Sequence, residues 1–260
     1  MRINFESSTV CNAKCTFCPR NTMIRKGGQM SDKLFYKIIK EGKELKASIY
    51  YPFMNGEPFV FPRIWEWLDY MEKENVNVAL HTNAEYLDVD RLVKYKNISY
   101  VYCSLHAATR ETYNRVVRGP NYEVVKNNIS ELLQKAPFKV RVSFVPTEDN
   151  IDDLKLFESQ YKKNVRAVGR FANWTGARHS TLEKSGPRVA CKTVFVHMYI
   201  LWDGRVVPCC LDYEGRQILG DANKQTLKEI WNSSGWFRDK HKKGEFSEIP
   251  ICKNCNYNVI

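Results

Sequence analysis

Cys11-Asn12-Ala13-Lys14-Cys15-Thr16-Phe17-Cys18 places three cysteines in the spacing CxxxCxxC directly behind a short strand-like run, Arg2-Ile3-Asn4-Phe5-Glu6. Three thiolates on one short loop leave a tetrahedral zinc site one ligand short. They suit a four-iron cluster in which three irons are held by protein and the fourth is open to a substrate or cofactor. A zinc loop is the competing reading, because short cysteine patterns recur in zinc modules. The rest of the chain bears on the choice.

Outward from that loop, Leu34, Phe35, Ile38, Ile39 and Leu45 recur at helical spacing behind Ser31 and Asp32, which can cap a helix start. Residues 47–53 read as a strand that ends at Asn55-Gly56-Glu57-Pro58, and Pro62 opens a helix bearing Ile64, Trp67, Leu68 and Met71. The pattern continues with a strand over 76–81, a helix over 89–95, a strand over 98–104 and a long helical region over 111–135. A strand over 139–145, a helix over 151–161 and a strand over 165–171 complete it. Six strands alternating with helices predict a parallel α/β sheet with right-handed crossovers and its working groups at the C-terminal ends of the strands. The cysteines, Asn55 to Pro58, Asn83 and Ser104 all follow or end such strands, so they converge on one rim. Periodicity does not distinguish an open sheet from a barrel.

The 260 residues carry a formal charge of +11 and are 43% hydrophobic, enough for a packed core. The 40 Lys and Arg are spread along the chain instead of clustered, which reads as a solvated basic surface that fits an acidic redox partner, an anionic substrate or nucleic acid equally well. No apolar run approaches the roughly 18 residues of a membrane span, and no apolar signal segment precedes the cysteines, so a cytoplasmic protein is expected. Nine cysteines, an odd count in metal-binding spacings, point to metal in a reducing compartment over disulfides.

The CxxxCxxC motif with Phe17 before its last cysteine resembles that of the radical S-adenosylmethionine (radical SAM) enzymes. In that family the open iron chelates the methionine part of the cofactor. The resemblance implies a partial (β/α)6 TIM-like barrel. Gly56-Glu57-Pro58 is similar to the family's GGEP segment, with Asn55 in place of the first glycine. The stretch Ser104-Leu105-His106-Ala107, followed by Arg118-Gly119, resembles the segment leaving the fourth strand. These matches imply cofactor contacts at Phe17, Asn55, Gly56, Glu57, Asn83 and Ser104, with Arg118 pairing the cofactor carboxylate. His106-Ala107 stands where the family more often has Asp-Gly, which leaves a histidine at the rim as a candidate acid or base. Phe171-Ala172-Asn173-Trp174-Thr175-Gly176 resembles a further Asn-Trp-x-Gly segment of the same subgroup.

Beyond a polar stretch over 177–187, read as a linker, a second cysteine set appears. Cys191 is followed after twelve residues by Gly204, after four more by Cys209, and Cys252 and Cys255 form a terminal CxxC. Four cysteines can close a metal site completely, as zinc or as a cluster. The pattern resembles the Twitch and SPASM domains, which implies an auxiliary [4Fe-4S] cluster and a division into a barrel over 1–176, the linker and a cluster domain over 188–260. Asp203-Gly204 reads as a hairpin turn and 226–232 as a short helix.

Seven cysteines are thereby assigned as ligands, leaving Cys103 and Cys210 either buried or able to donate a hydrogen atom. The resemblance implies reductive cleavage of S-adenosylmethionine to a 5′-deoxyadenosyl radical, which abstracts hydrogen from substrate, with flavodoxin or ferredoxin as an acidic electron donor. Oxidation of a secondary alcohol on a sugar or cyclitol is the favoured outcome. Epimerisation with a cysteine hydrogen donor is the first alternative. Peptide modification is the second; such enzymes often carry a leader-binding domain before the motif, where this chain has ten residues. A basic metal-stapled nucleic-acid-binding protein ranks last, there being no recognition-helix or RNA-binding signature.

Overall fold

The computed structural model describes residues 1–163, 165–182 and 186–257. Part of the expected linker, 183–185, lies outside the described residues. The barrel half runs β1 (Arg2–Phe5), α1 (Asp32–Glu44), β2 (Ile49–Tyr51), α2 (Ile64–Lys73), β3 (Val78–Thr82), α3 (Val89–Leu92) and β4 (Ile98–Ser104). It continues with α4 (Arg110–Val116), α5 (Tyr122–Lys135), β5 (Lys139–Phe144), α6 (Leu154–Gln160) and β6 (Arg166–Val168). The C-terminal part adds β7 (His197–Ile200), β8 (Arg205–Val207), β9 (Gly220–Asp221), α7 (Leu227–Ser233), α8 (Gly235–Lys243) and α9 (Pro250–Lys253). Among the described residues no helix is long and apolar enough to cross a membrane.

The six expected strands form and pair in parallel, in the order β6-β5-β4-β3-β2-β1. The sheet does not stop there. β7 pairs in parallel with β1, with Asn4 opposite Tyr199, and β8 and β9 extend it antiparallel to nine strands among the described residues. The part of the chain after the expected linker is therefore joined to the barrel sheet by a strand ladder.

Helix starts follow the polar residues that satisfy free N–H groups: Ser31 on α1, Thr109 on α4, Asn121 on α5 and Thr226 on α7, the last in a capping box with Glu229. The long helix expected over 111–135 is two helices. Arg118 and Gly119 have φ of 53° and 116°, outside the helical region, and Pro120 follows.

Each strand shows two faces because side chains alternate. One face carries Ile3, Phe5, Tyr50, Leu80, Val101 and Val142 into the main apolar core under the helices, where Phe5 meets Phe35 at 5.8 Å and Phe35 stacks on Trp67 at 4.0 Å. The other face carries Asn4, Tyr51, His81, Tyr102, Ser104, His197 and Tyr199 and forms the concave side of the partial barrel.

Candidate active site and second cysteine centre

The cysteine loop leaves β1 and is held by the end of α4. Lys14 N–H donates to the carbonyls of Val117 (3.2 Å) and Arg118 (2.8 Å), and Thr16 N–H to Val116 (2.9 Å). A helix cannot satisfy its own last carbonyls, so α4 offers them to the loop. A Cβ on Gly119 would lie 2.3 Å from the Asn12 carbonyl, and the approach of loop and helix end depends on that glycine. Burial pushes the Cys11 thiol up to about 11, with the Glu57 carboxylate adding to it. Cys15 is driven up by burial and by Cys18 and Cys11, and Cys18 by burial.

Three thiols gathered in a poorly solvated place ionise against a cationic partner, and an iron-sulfur core is one. Three thiolates leave a mononuclear zinc one ligand short, whereas a four-iron cluster takes one thiolate on each of three irons. Two buried polar atoms at this loop also have no partner among the described residues, the Tyr113 hydroxyl and the Arg178 Nε, whose Nη2 reaches the Cys18 carbonyl at 3.2 Å. The residues fit a cluster here.

The Asn55-Gly56-Glu57 turn after β2 packs against the segment that leads into Cys11. Glu57 N–H donates to the Val10 carbonyl (2.9 Å), and a Cβ on Gly56 would sit 2.1 Å from the Ser8 carbonyl oxygen and 2.8 Å from that of Val10. The Glu57 carboxylate is buried and raised to about 7 by burial, and it accepts from Thr82 Oγ1 (2.6 Å), Asn83 N–H (2.7 Å) and Phe59 N–H (3.2 Å). Both its oxygens therefore lock the turn to the end of β3. Asn83 carries the lock onward: its amide donates to Asn12 Oδ1 (2.7 Å), inside the cysteine loop. Asn55 donates to Glu6 (3.0 Å), a carboxylate buried with Arg25 at 2.6 Å. These residues build the rim that faces the cysteines.

Other expected site residues are placed differently. Arg118 was expected as a carboxylate clamp, but its guanidinium is exposed with Nε on the Arg115 carbonyl (2.9 Å); its main chain is what supports the loop. Cys103 was expected at the rim as a possible hydrogen donor. It points to the helix side of β4, fully buried between Thr82 and Val142 in register, because it alternates with the concave-facing Tyr102 and Ser104. His106 is buried and pushed down to about 4 by burial. Its Nδ1 accepts the Val145 N–H (3.1 Å), and its ring edge meets Phe17 at 4.9 Å, so it braces the motif as a neutral imidazole.

The concave face holds a group that the sequence reading missed. His81 is stacked between Phe53 (4.5 Å) and Tyr102 (4.7 Å), is pushed down to about 4 by burial, and has no hydrogen bond among the described residues. Tyr51 continues the ring series from Phe53 (6.0 Å) to His197 (5.7 Å), and His197 reaches Tyr199 (5.5 Å), whose hydroxyl lies beside Cys210. The signal was available: a parallel strand covered on both faces is apolar throughout, and β3 and β4 instead interleave His81, Tyr100 and Tyr102 with aliphatic residues.

Cys191, Cys209, Cys252 and Cys255, spread over 65 positions of sequence, line one pocket with His241 and Tyr257. Burial and Cys255 push Cys252 up to about 12, and Cys255 is raised chiefly by burial. His241 of α8, also missed from sequence, accepts the Cys191 N–H on Nδ1 (3.3 Å). Its proton therefore sits on Nε2, 3.5 Å from the Cys252 sulfur. Cys210, the next residue after Cys209, packs with Met54 against Tyr199, Leu201 and Val207. The donor set fits a cluster ligated entirely by protein.

The Asn173-Trp174-Thr175-Gly176 segment ties the two centres together. Trp174 Nε1 donates to the Phe17 carbonyl (3.1 Å), and the Asn173 amide donates to the Asn254 carbonyl (2.7 Å) between Cys252 and Cys255. Trp174, Thr175 and Gly176 have φ of 49°, 60° and 91°, a strained run held from both sides.

Residues 5–158 match the model of the radical SAM superfamily, and residues 191–256 match an iron-sulfur cluster-binding domain, SPASM. The chain is 26% identical to mycofactocin maturase of Mycobacterium tuberculosis, over 98% of this chain and 75% of that one. It is 21% identical to the S-adenosyl-L-methionine-dependent 2-deoxy-scyllo-inosamine dehydrogenase of Niallia circulans, over 98% and 92%. Among solved structures it resembles BtrN in complex with AdoMet and 2-DOIA (TM-score 0.70, 17% identity, 98% and 92% covered). It also resembles Streptococcus suis SuiB bound to the precursor peptide SuiA (TM-score 0.77, 16% identity, 98% and 70% covered). Their likeness is one of fold. Half-barrel, cysteine loop and four-cysteine pocket agree with these matches: the chain belongs to the radical SAM superfamily and is a SPASM-bearing radical SAM enzyme whose cofactors are S-adenosylmethionine and [4Fe-4S] clusters.

Proposed function

We propose that this enzyme oxidises a secondary alcohol of a sugar or cyclitol to a ketone. The observation that carries the reading is the second cysteine pocket: four protein thiols leave its metal no position for substrate, so its use is electron transfer. The dehydrogenase relative, matched over 92% of its length, supports the same reading. When bound, the cofactors supply a hydrogen-abstracting 5′-deoxyadenosyl radical and an acceptor for the electron the substrate gives up.

The chain's own share is orientation and proton transfer. Phe53 and Tyr102 offer ring faces to the C–H side of a cyclic substrate. His81, neutral and with no hydrogen bond among the described residues, accepts the hydroxyl proton as the carbonyl forms. Phe17, Asn55, Gly56, Glu57, Asn83 and Ser104 frame the S-adenosylmethionine site, with Cys11, Cys15 and Cys18 as ligands of the first cluster and Cys191, Cys209, Cys252 and Cys255 as ligands of the second. The division into 1–176, 177–187 and 188–260 belongs to this reading, supported by the two family matches. The basic charge suits an acidic flavodoxin or ferredoxin as reductant.

Peptide modification is the second reading, favoured by the similarity to mycofactocin maturase and by the fold shared with SuiB. Anaerobic reconstitution with dithionite and S-adenosylmethionine tests both. Wild type binds about eight irons and forms 5′-deoxyadenosine, and Cys191→Ala/Cys209→Ala binds about four. Turnover of a cyclitol or sugar to a ketone, one per 5′-deoxyadenosine, supports dehydrogenation. Turnover confined to peptides favours the second reading, and bound zinc with no cofactor cleavage defeats both.

A further inference from the structure

Arg141 of β5 lies between Val140 and Val142, whose side chains enter the apolar core, so its own side chain stands on the concave face. Register puts Arg141 opposite Tyr102 and Tyr102 opposite His81, two strand spacings away, or about 10 Å along one layer of that face. Arg141 is half-buried, and its hydrogen bonds are two long ones from Nη1, to the Lys163 and Arg166 carbonyls at 3.4 Å each. Among the described residues its Nε and Nη2 have no partner, and it forms no ion pair. Arg166 supplies the contrast: in register with Val142 on the helix side of the sheet, it has Glu158 at 3.4 Å. The rim carboxylates Glu6 and Glu57 are committed elsewhere, to Arg25 and to Thr82, Asn83 and Phe59.

We propose that Arg141 holds an oxyanion of the substrate, a phosphate or a carboxylate, so that the cyclic alcohol this enzyme takes is an anionic one. The proposal rests on the reading of the concave face as the alcohol site. A guanidinium keeps its charge at any working pH, and two of its nitrogens here await acceptors, the fork that suits a phosphate or carboxylate. Held at one end by Arg141, the substrate lies across Tyr102 with its reacting hydroxyl towards His81. Arg141 is thus a binding and specificity residue, and the oxyanion supplies the counter-charge that the described residues do not.

The test is anaerobic equilibrium dialysis of the reconstituted full chain with S-adenosylmethionine and no reductant, so that binding is read without turnover. The probes are glucose, its phosphate monoester and glucuronate, and myo-inositol and its monophosphate, against wild type, Arg141→Gln and Arg141→Lys of equal iron content. The expected result is that a phosphate or carboxylate form binds wild type at least about tenfold tighter than its neutral parent, and that Arg141→Gln erases the preference while the neutral parent binds as before. Which anionic form is preferred identifies the oxyanion. Neutral forms bound by wild type as tightly as anionic ones overturn the proposal and leave the alcohol reading standing, and so does a preference that survives Arg141→Gln. No binding of any probe, neutral or anionic, defeats the proposal together with that reading. If Arg141→Gln does not fold, Arg141→Lys, which keeps the charge and loses the planar fork, should weaken the anionic forms alone; equal weakening of the neutral forms refutes the assignment.

Discussion

Replacing Arg25 by Met should destabilise the whole rim. The Arg25 guanidinium pairs with Glu6 at 2.6 Å where both side chains are almost completely buried, 5% and 0% exposed, and its Nε donates to the Tyr213 carbonyl. Removing one partner of a buried pair costs about 3–5 kcal/mol, because the remaining charge is left without compensation. Glu6 would keep hydrogen bonds from Asn55 (3.0 Å) and Trp202 N–H (3.3 Å), which places Arg25→Met at the lower end, about 3 kcal/mol. For a chain of this size that is a fall in melting temperature of roughly 6–12 °C.

The assay is anaerobic urea and thermal denaturation of wild type, Arg25→Met, Glu6→Gln and the double variant. In the double variant the buried charge is gone, and at least half of the loss should return as coupling energy. A loss below about 1 kcal/mol for Arg25→Met, or a purely additive double variant, would refute the reasoning by showing that Glu6 does not depend on Arg25. Because Glu6 also holds Asn55 and Trp202, the single variant should lower iron uptake at both centres.

Gly56→Ala, whose Cβ would strike the Ser8 and Val10 carbonyls at 2.1 and 2.8 Å, should abolish 5′-deoxyadenosine formation while far-UV circular dichroism stays near wild type. Cys103→Ala should cost about 1 kcal/mol and leave cofactor cleavage unchanged, since the thiol lies in the apolar core; a selective loss of turnover would restore it as a hydrogen donor. Stability should fall on acidification from about pH 6.5 to 4.5. His81 and His106, held near 4 in the folded chain, refuse two protons that the unfolded chain binds, while Glu57, raised to about 7, retains one that the unfolded chain releases. Two minus one gives a net slope of about 1.4 kcal/mol per pH unit, with His197, also lowered to about 4 but more open to solvent, adding in the same direction. Urea titrations across that range check the sign, and a flat or rising profile would contradict it.

Much was legible in one dimension because the governing interactions are local. Cysteine spacing within one loop sets which metal it can hold, strand and helix periods set the alternating parallel half-barrel, and Ser31, Thr109, Asn121 and Thr226 announce the helices they cap. Even the opposed faces of Cys103 and Ser104 follow from the period of a strand. The break between α4 and α5 was written in Arg118-Gly119-Pro120, yet the apolar positions on either side outweighed it in the reading.

What only the tertiary structure decided depends on residues far apart in sequence. The pairing of β7 with β1 joins positions about 195 apart through backbone hydrogen bonds, to which sequence contributes almost no signature. The same long-range closure brings Cys191, Cys209, Cys252 and Cys255 around one pocket, sets His241 against two of them, and stretches Asn173 and Trp174 between the centres. His81 follows the same rule: a side chain becomes chemically significant when packing strips it of water and leaves it without a partner, and solvation is a property of the folded surroundings, not of the residue.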